Sequence, residues 1–375
     1  MRHLTLLGIF ALLGGTSMTT TITERREPHL GRYFVAFADL KAFTQTELHD
    51  DKKRIYYSEA ITSKVPANEI IVSWNMDTKP EAGIAVEIRA KLGERWTKYY
   101  HLGYWSKSGQ GFRKESVKGQ KSADGDVETD TLVLKQRTTM VQLRLTVRYK
   151  DSSLPLLLRF VGVSFTDTAA HPTLLTANKT AWGKEIKVPE KWQTGWEGAK
   201  GWCSPTSTAM MLAFWGQRLQ RPEMDFAVPD AARACYDPVY EGTGNWTFNT
   251  AFAGSFPHIR AYVTRFGDIR ELEEWIEAGL PVVVSGSLDI LRNKARAHDP
   301  GHLLVLTGFT AKGDVIMNDP AYHPEKGEVG RRVYPRANFL RSWAKSKNTV
   351  YLIYSEGTTL PRTSYEHWET APSSP

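Results

Sequence analysis

The chain has 375 residues, of which 41% are hydrophobic and 24% charged, with a formal net charge of +7. That length predicts two domains with sizeable cores, and the composition excludes a disordered or low-complexity protein. No dense Lys/Arg block with interleaved aromatic residues occurs, which argues against nucleic acid as a partner. Two cysteines, Cys203 and Cys235, are too few for a disulfide framework, so either they pair or at least one serves chemistry.

The N-terminus, MRHLTLLGIFALLGGTSMTT, has a basic start, a short apolar run from Leu4 to Leu13 and then small residues. This is the layout of a secretory signal peptide, assigned to residues 1–18 with cleavage between Gly15 and Met18, and it predicts a secreted or extracytoplasmic protein. The apolar run is too short to span a bilayer, and no later stretch reaches 18 apolar residues.

Residues 30–168 alternate with a period of two. GIAVEIRAKL places Ile84, Val86 and Ile88 on one face; MVQLRLTVRY does so with Val141, Leu143, Leu145 and Val147; LPLLLRFVGVSF puts Leu156, Leu158 and Phe160 in phase. Turn-forming stretches separate these runs, which predicts an antiparallel β-sandwich, jelly-roll-like, as an accessory domain. Its segment RWTKYYHLGYWS (Trp96, Tyr99, Tyr100, Tyr104, Trp105) reads first as core or rim packing and second as an aromatic platform for sugar rings. From TDTAAHPTLLTANKTAWGKEIKVPE the texture turns polar and predicts a linker plus the entry segment of the next domain. Residues 185–357 then mix helix and strand signals, predicting an α+β domain, and 360–375 form a Pro/Ser/Thr-rich tail expected to be flexible.

Within the second domain, GWCSPTSTAMMLAFWG puts Cys203 at the mouth of a helix, with Ser204 suited to the N-cap, Pro205 to the first helical position and Gly216 to the C-terminal stop. The positive end of the helix dipole and its unpaired N–H groups favour a thiolate there and offer donors to an oxyanion. The alternative is a buried, inert cysteine. A nucleophilic thiol needs a base, and the base needs an orienting group. His302 opens the apolar strand HLLVLTGF, and the return strand DVIMNDP ends at Asp319, so both belong to one end of one hairpin. A two-residue turn at Lys312-Gly313 would set His302 opposite His323, so a wider loop or a bulge is required; Asn318 is the neighbouring alternative as orienter. Neither Cys-x-x-Cys nor His-Glu-x-x-His is present, and no metal or cofactor is predicted.

The stretches GWCSPTSTAMMLAFWG, GHLLVLTGF and VIMNDPAY resemble the papain-like cysteine peptidases of the bacteriocin-processing, double-glycine-leader type, in their stand-alone secreted bacterial form. The resemblance spans roughly residues 185 to 355. It implies a thiol protease in which Cys203 is the nucleophile, His302 the general base and Asp319 its orienter. It also implies that Gln193, in VPEKWQ, supplies the side-chain amide of the oxyanion hole. Ser204 stands where the family often has glycine, and leader-cleaving specificity does not carry over. Cys235, in CYDPVYEGTGNWTFNTAFAG, is expected to be a spectator, since pairing with Cys203 would block the nucleophile; Asn245 and Trp246 in that stretch are read as a packed loop. The expected partner is a peptide or protein substrate, with cell-wall peptide admissible. The alternatives are a peptidoglycan amidase or endopeptidase using the same chemistry, and a catalytically silent surface-binding protein. Oligomeric state is left open.

Overall fold

The computed structural model describes residues 31–46, 52–76, 82–107, 111–150, 158–170, 175–294, 298–361 and 368–370. The signal segment assigned to residues 1–18 lies outside them, as do Leu156 and part of the tail.

The N-terminal domain is an antiparallel sheet: β1 (Arg32–Phe37), β2 (Phe43–Thr46), β3 (Lys53–Ser58), β4 (Ile61–Met76), β5 (Ala82–Leu92), β6 (Arg95–Trp96), β7 (Tyr100–Trp105), β8 (Gly125–Glu128), β9 (Thr131–Tyr149) and β10 (Leu158–Thr166). Hydrogen bonding runs β1-β10-β4-β9-β3-β2, with β5 and β8 also on β9, and β7 and β6 on β5. The two longest strands, β4 and β9, pair with each other across register shifts at Thr62/Ala67 and Ala67/Glu69, and each takes further partners on its second half, β10 on β4 and β3 and β5 on β9. Their first and second halves therefore lie in different parts of the network. The alternating residues read from sequence on β5 and β9 all enter one core with Val72 and Trp74 of β4.

The phase read for the last strand needs correction. A bulge between Leu158 and Phe160 reverses the faces, so Leu158, Val161, Val163 and Phe165 enter the sheet's own core while Phe160 points the other way. The aromatic segment divides too. Tyr100 and Trp105 are core residues, and the partly buried Trp96, Tyr99 and Tyr104 lie beneath the guanidinium groups of Arg89, Arg144 and Arg113.

The C-terminal domain contains α1 (Cys203–Leu219), α2 (Val228–Cys235), α3 (Trp246–Ala253), β11 (Ile259–Arg265), α4 (Ile269–Glu277), β12 (Val282–Gly286), α5 (Leu288–Leu291), β13 (His302–Phe309), β14 (Val315–Asn318), β15 (Arg331–Tyr334), α6 (Arg336–Ala344) and β16 (Thr349–Ser355). Its antiparallel sheet runs β11-β16-β12-β13-β14-β15, with α1 laid across β13. It is an α+β domain, as the sequence predicts. Residues 178–186, within the stretch read as linker and entry segment, are tied down: Trp182 Nε1 donates to Glu273 (2.9 Å), and the backbone pairs with the end of β13 (Ile186 N to Thr307 O 2.7 Å, Phe309 N to Lys184 O 2.9 Å). Within the tail expected to be flexible, Trp368–Thr370 form β17, a parallel neighbour of β1, and Trp368 packs on Phe34 and Tyr262.

The domains share more than a border. Phe34, Ile71 and Phe160 on the outer face of the N-terminal sheet join the C-terminal core, the two phenylalanines stacking on Tyr262 of β11. In return Phe248 and Ala251 of α3 enter the N-terminal core. Between them lie buried polar links. The Asn75 side chain bonds both backbone groups of Ala261 (2.6 and 2.9 Å), Ser73 Oγ accepts from Val263 N (2.9 Å), and the Arg265 guanidinium meets Glu69 (2.6 Å). Asp130, from the loop between β8 and β9, accepts from Trp246 N (2.6 Å) at the start of α3.

Candidate active site

Cys203 sits in the first turn of α1, not ahead of it. The N-cap is Trp202, without a side-chain cap, and Thr206 N closes the first turn on Trp202 O (3.1 Å). Pro205 therefore occupies the third helical position, where its missing N–H still costs no intrahelical bond. Ser204, expected as the cap, instead bonds the Tyr351 hydroxyl on β16 (2.8 Å). The helix also runs past Gly216 to Leu219 and stops at Gln220, which is left-handed at φ 55°. Gly216 is needed for clearance: a Cβ there would meet Arg221 O at 2.8 Å and Met224 Cβ at 3.0 Å.

One helical turn beyond Cys203, Ser207 Oγ donates to Leu303 O (3.1 Å). That bond fixes α1 against the strand whose first residue is His302. The imidazole and the sulfur then meet side chain to side chain. On the far side of the ring, His302 Nε2 and Asp319 Oδ1 lie 2.7 Å apart, which leaves Nδ1 for the sulfur. Cys203, His302 and Asp319 are all buried, Asp319 to 1% exposure.

The hairpin achieves this by the wider loop that the register demanded. Residues 310–314 form the turn, closed by Thr310 N to Asp314 O (2.8 Å), and a bulge falls between Leu306 and Gly308. Val305 consequently pairs with Asn318. The bulge has a local cause: at Gly308 the chain at Lys184–Glu185 crosses so closely that a Cβ would lie 2.3 Å from Lys184 O. Asn318 does not orient the ring; its side chain donates to Val188 O (2.9 Å). That bond, with Glu190 accepting from Gly330 N (2.6 Å), guides the chain toward Gln193. The Gln193 backbone N–H donates to Pro320 O (2.9 Å), one residue beyond Asp319, and its side-chain Oε1 is buried without a protein partner.

The electrostatics follow from these contacts. Burial pushes the Cys203 thiol up, but the His302 contact and the N–H groups of Leu303 and Ser204 outweigh it and leave its pKa below the ordinary value. Burial disfavours charge on His302 as well, yet its bonds to Asp319 and Cys203 raise it to about 10. Burial opposes ionisation of Asp319, and the His302, Ala321 N–H and Tyr334 bonds overcome it, holding the carboxyl at about 2. At neutral pH these shifts favour imidazolium and carboxylate, and they bias Cys203 toward the thiolate. Cys235 is the contrast: it is a free thiol whose pKa burial drives upward, with no acid–base partner beyond the field of Lys114.

Asn245 and Trp246, expected in a packed loop, instead start helix α3, Asn245 as its N-cap and Trp246 as its first residue. Asn245 caps α3 by accepting from Phe248 N (3.2 Å) and donates to Asp237 (2.9 Å). Sequence reading missed Ser207, Tyr334 and Arg292. Ser207 had a signal, being four residues from Cys203 on the same helical face. Tyr334 and Arg292 had none, because only strand pairing and the α5 turn bring them to Asp319. Among the described residues no group of His, Cys, Asp or Glu is arranged to hold a metal ion, and no helix is long and apolar enough to cross a membrane.

A comparison with curated proteins found no match. Family profiles do match: residues 28–165 to the Peptidase C39 N-terminal domain and residues 185–351 to the Peptidase_C39 like family. With both parts matched, the chain belongs to the papain-like C39 peptidases.

Proposed function

We propose that the protein is a cysteine peptidase that hydrolyses peptide bonds through Cys203, His302, Asp319 and Gln193. The observation that carries this reading is the buried chain of contacts from the Cys203 sulfur through His302 to Asp319 Oδ1 (2.7 Å) at the start of an apolar helix. In this reading the Cys203 thiolate attacks the scissile carbonyl carbon. The oxyanion is met by the Cys203 N–H and the Gln193 side-chain amide. The C–N bond then breaks, the leaving amine takes the His302 proton, and a thioester remains on Cys203. Water, deprotonated by His302, hydrolyses the thioester and restores the thiol. Asp319 holds the ring and stabilises its cationic form throughout.

The N-terminal sheet, proposed to fold over itself as a two-layer sandwich, supports the catalytic domain through the shared cores. The reading of residues 1–18 as a signal peptide supports action outside the cytoplasm, on peptides or proteins that include cell-wall peptides as candidates. The test is iodoacetamide labelling across pH with mass mapping, joined to a digest of a peptide library. Selective alkylation of Cys203 well below pH 8, lost in His302→Ala, together with cleavage abolished by Cys203→Ala, is the expected result. Equal, slow labelling of Cys203 and Cys235 overturns the nucleophile assignment. A reactive Cys203 with no peptide cleaved favours the silent scaffold.

A further inference from the structure

We propose that Tyr334 is a positioning residue of the active site, holding the second oxygen of Asp319, with Arg292 as its outer anchor. This rests on the peptidase reading of Cys203, His302 and Asp319. Asp319 Oδ1 is shared by His302 Nε2 (2.7 Å) and Ala321 N (2.9 Å). A carboxylate fixed through one oxygen alone still turns about its Cβ–Cγ bond. The Tyr334 hydroxyl removes that freedom by donating to Oδ2 at 2.7 Å. Tyr334 is itself buried on β15, where strand pairing sets it opposite Val315, so the hydroxyl is delivered from a rigid sheet position.

Arg292, the C-terminal cap residue of α5, closes the arrangement. Its guanidinium lies beside the Tyr334 hydroxyl, and its Nη2 lies 3.7 Å from Asp319 Oδ2, beyond hydrogen-bond reach. The side chain is 45% exposed. The order of contacts is therefore Arg292, Tyr334, Asp319, His302, Cys203. The charged groups that His302 meets are Asp319 and Cys203, and Asp319 in turn meets His302, Tyr334 and Arg292. The hydroxyl holds Oδ2 from the rigid sheet, and the arginine stays 3.7 Å away, outside a short pair with the carboxylate. Without the hydroxyl, Arg292 is the nearest donor to Oδ2. A short Arg–carboxylate pair competes with His302 for the same charge.

The test is Tyr334→Phe in the full chain, a substitution that removes one oxygen and keeps the buried ring. The expected result is a fall in kcat of about tenfold with KM changed less than about twofold, measured on the best-cleaved library peptide. Iodoacetamide labelling of Cys203 at pH 6.5 falls in parallel, and the alkaline end of its pH profile moves toward neutral. Adding Arg292→Met to Tyr334→Phe restores part of both. An alkylation profile and kcat equal to wild type overturn the proposal, as does a lower kcat with an unshifted profile, which is what a merely structural tyrosine would give. Failure of the underlying reading is seen elsewhere: wild-type Cys203 would then label no faster than Cys235.

Discussion

Replacing Asp319 by asparagine tests the electrostatics of the site with little change of shape. An amide oxygen can still accept the His302 Nε2–H bond now made over 2.7 Å, but the negative charge is gone. Unit charges about 4 Å apart at an effective dielectric near 20 interact by about 4 kcal/mol, roughly three pKa units at about 1.36 kcal/mol each. The surviving hydrogen bond returns part of that, leaving about two units. The thiolate–imidazolium pair should thus lose about two orders of magnitude of population against the neutral pair near pH 6.5, and the rate of Cys203 alkylation should fall with it. The alkaline end of the alkylation profile, set in the wild type by His302 at about 10, should move toward neutral. Stability carries the same signature. Asp319 is lowered to about 2, so its contribution is present above the unfolded value and lost as pH falls through 2. His302 is raised from 6.5 to about 10, so its contribution is complete below 6.5 and lost as pH rises through 10. The melting-temperature gap between wild type and Asp319→Asn should accordingly be widest from about pH 4 to 6.5. An Asp319→Asn alkylation profile superimposed on that of the wild type, with the fold intact by circular dichroism, would refute the reasoning.

Gln193→Ala should lower kcat by about 100-fold while leaving the alkylation rate of Cys203 unchanged, because the amide acts on the oxyanion and not on the thiolate; single-turnover kinetics beside labelling separates the two. Asn75→Ala leaves both backbone groups of Ala261 without their buried partner and should cost about 2–5 kcal/mol in urea unfolding. Burial raises Asp130 from 3.8 to about 6 despite the N–H groups of Trp246 and Thr247 that it accepts. The folded state then binds the proton more tightly, so this contribution is complete below pH 4 and is lost as pH rises through 6, by about 3 kcal/mol at most. Asp130→Asn should flatten that decline in a series of thermal melts from pH 4 to 7. Cys235→Ser should leave hydrolysis unchanged and lower stability, read from a melt and a library digest.

What the sequence made legible follows the range of the interactions. Period-two runs such as Val141 to Val147 report their own burial, because each residue's face is set by its strand. The phase failed at Phe160, where a bulge made by pairing with distant β4 reverses the faces. The pairing of Cys203, His302 and Asp319 was legible because helix mouth and hairpin end are local features. The start of α1 was misplaced by two residues because Ser204, a good cap by chemistry, finds a better partner in Tyr351, far along the chain. Gly216 was read as a stop when it serves packing. Asn318 and Asp319 were inseparable in sequence, and only the path of residues 186–193 beside β13 and β14 gives Asn318 other work.

The same limit explains why the packing of the two domains on each other was not legible. Composition marks where the chain leaves one sheet and approaches another, but it is blind to side chains that cross back. Phe248 and Ala251 leave α3 for the N-terminal core, and Asp130 leaves the N-terminal sheet to receive the first N–H groups of α3. Helix α3 is only eight residues long and has little apolar moment of its own to hold it to one partner. It is held because both domains pack on it. Its neighbour α1 carries Cys203 and packs against α3 and against β13, where His302 begins. The N-terminal sheet therefore reaches the sulfur through two packed helices. In physical terms it is part of the frame that sets the distance between thiol and imidazole, and its loss would be felt in the chemistry before any substrate arrived.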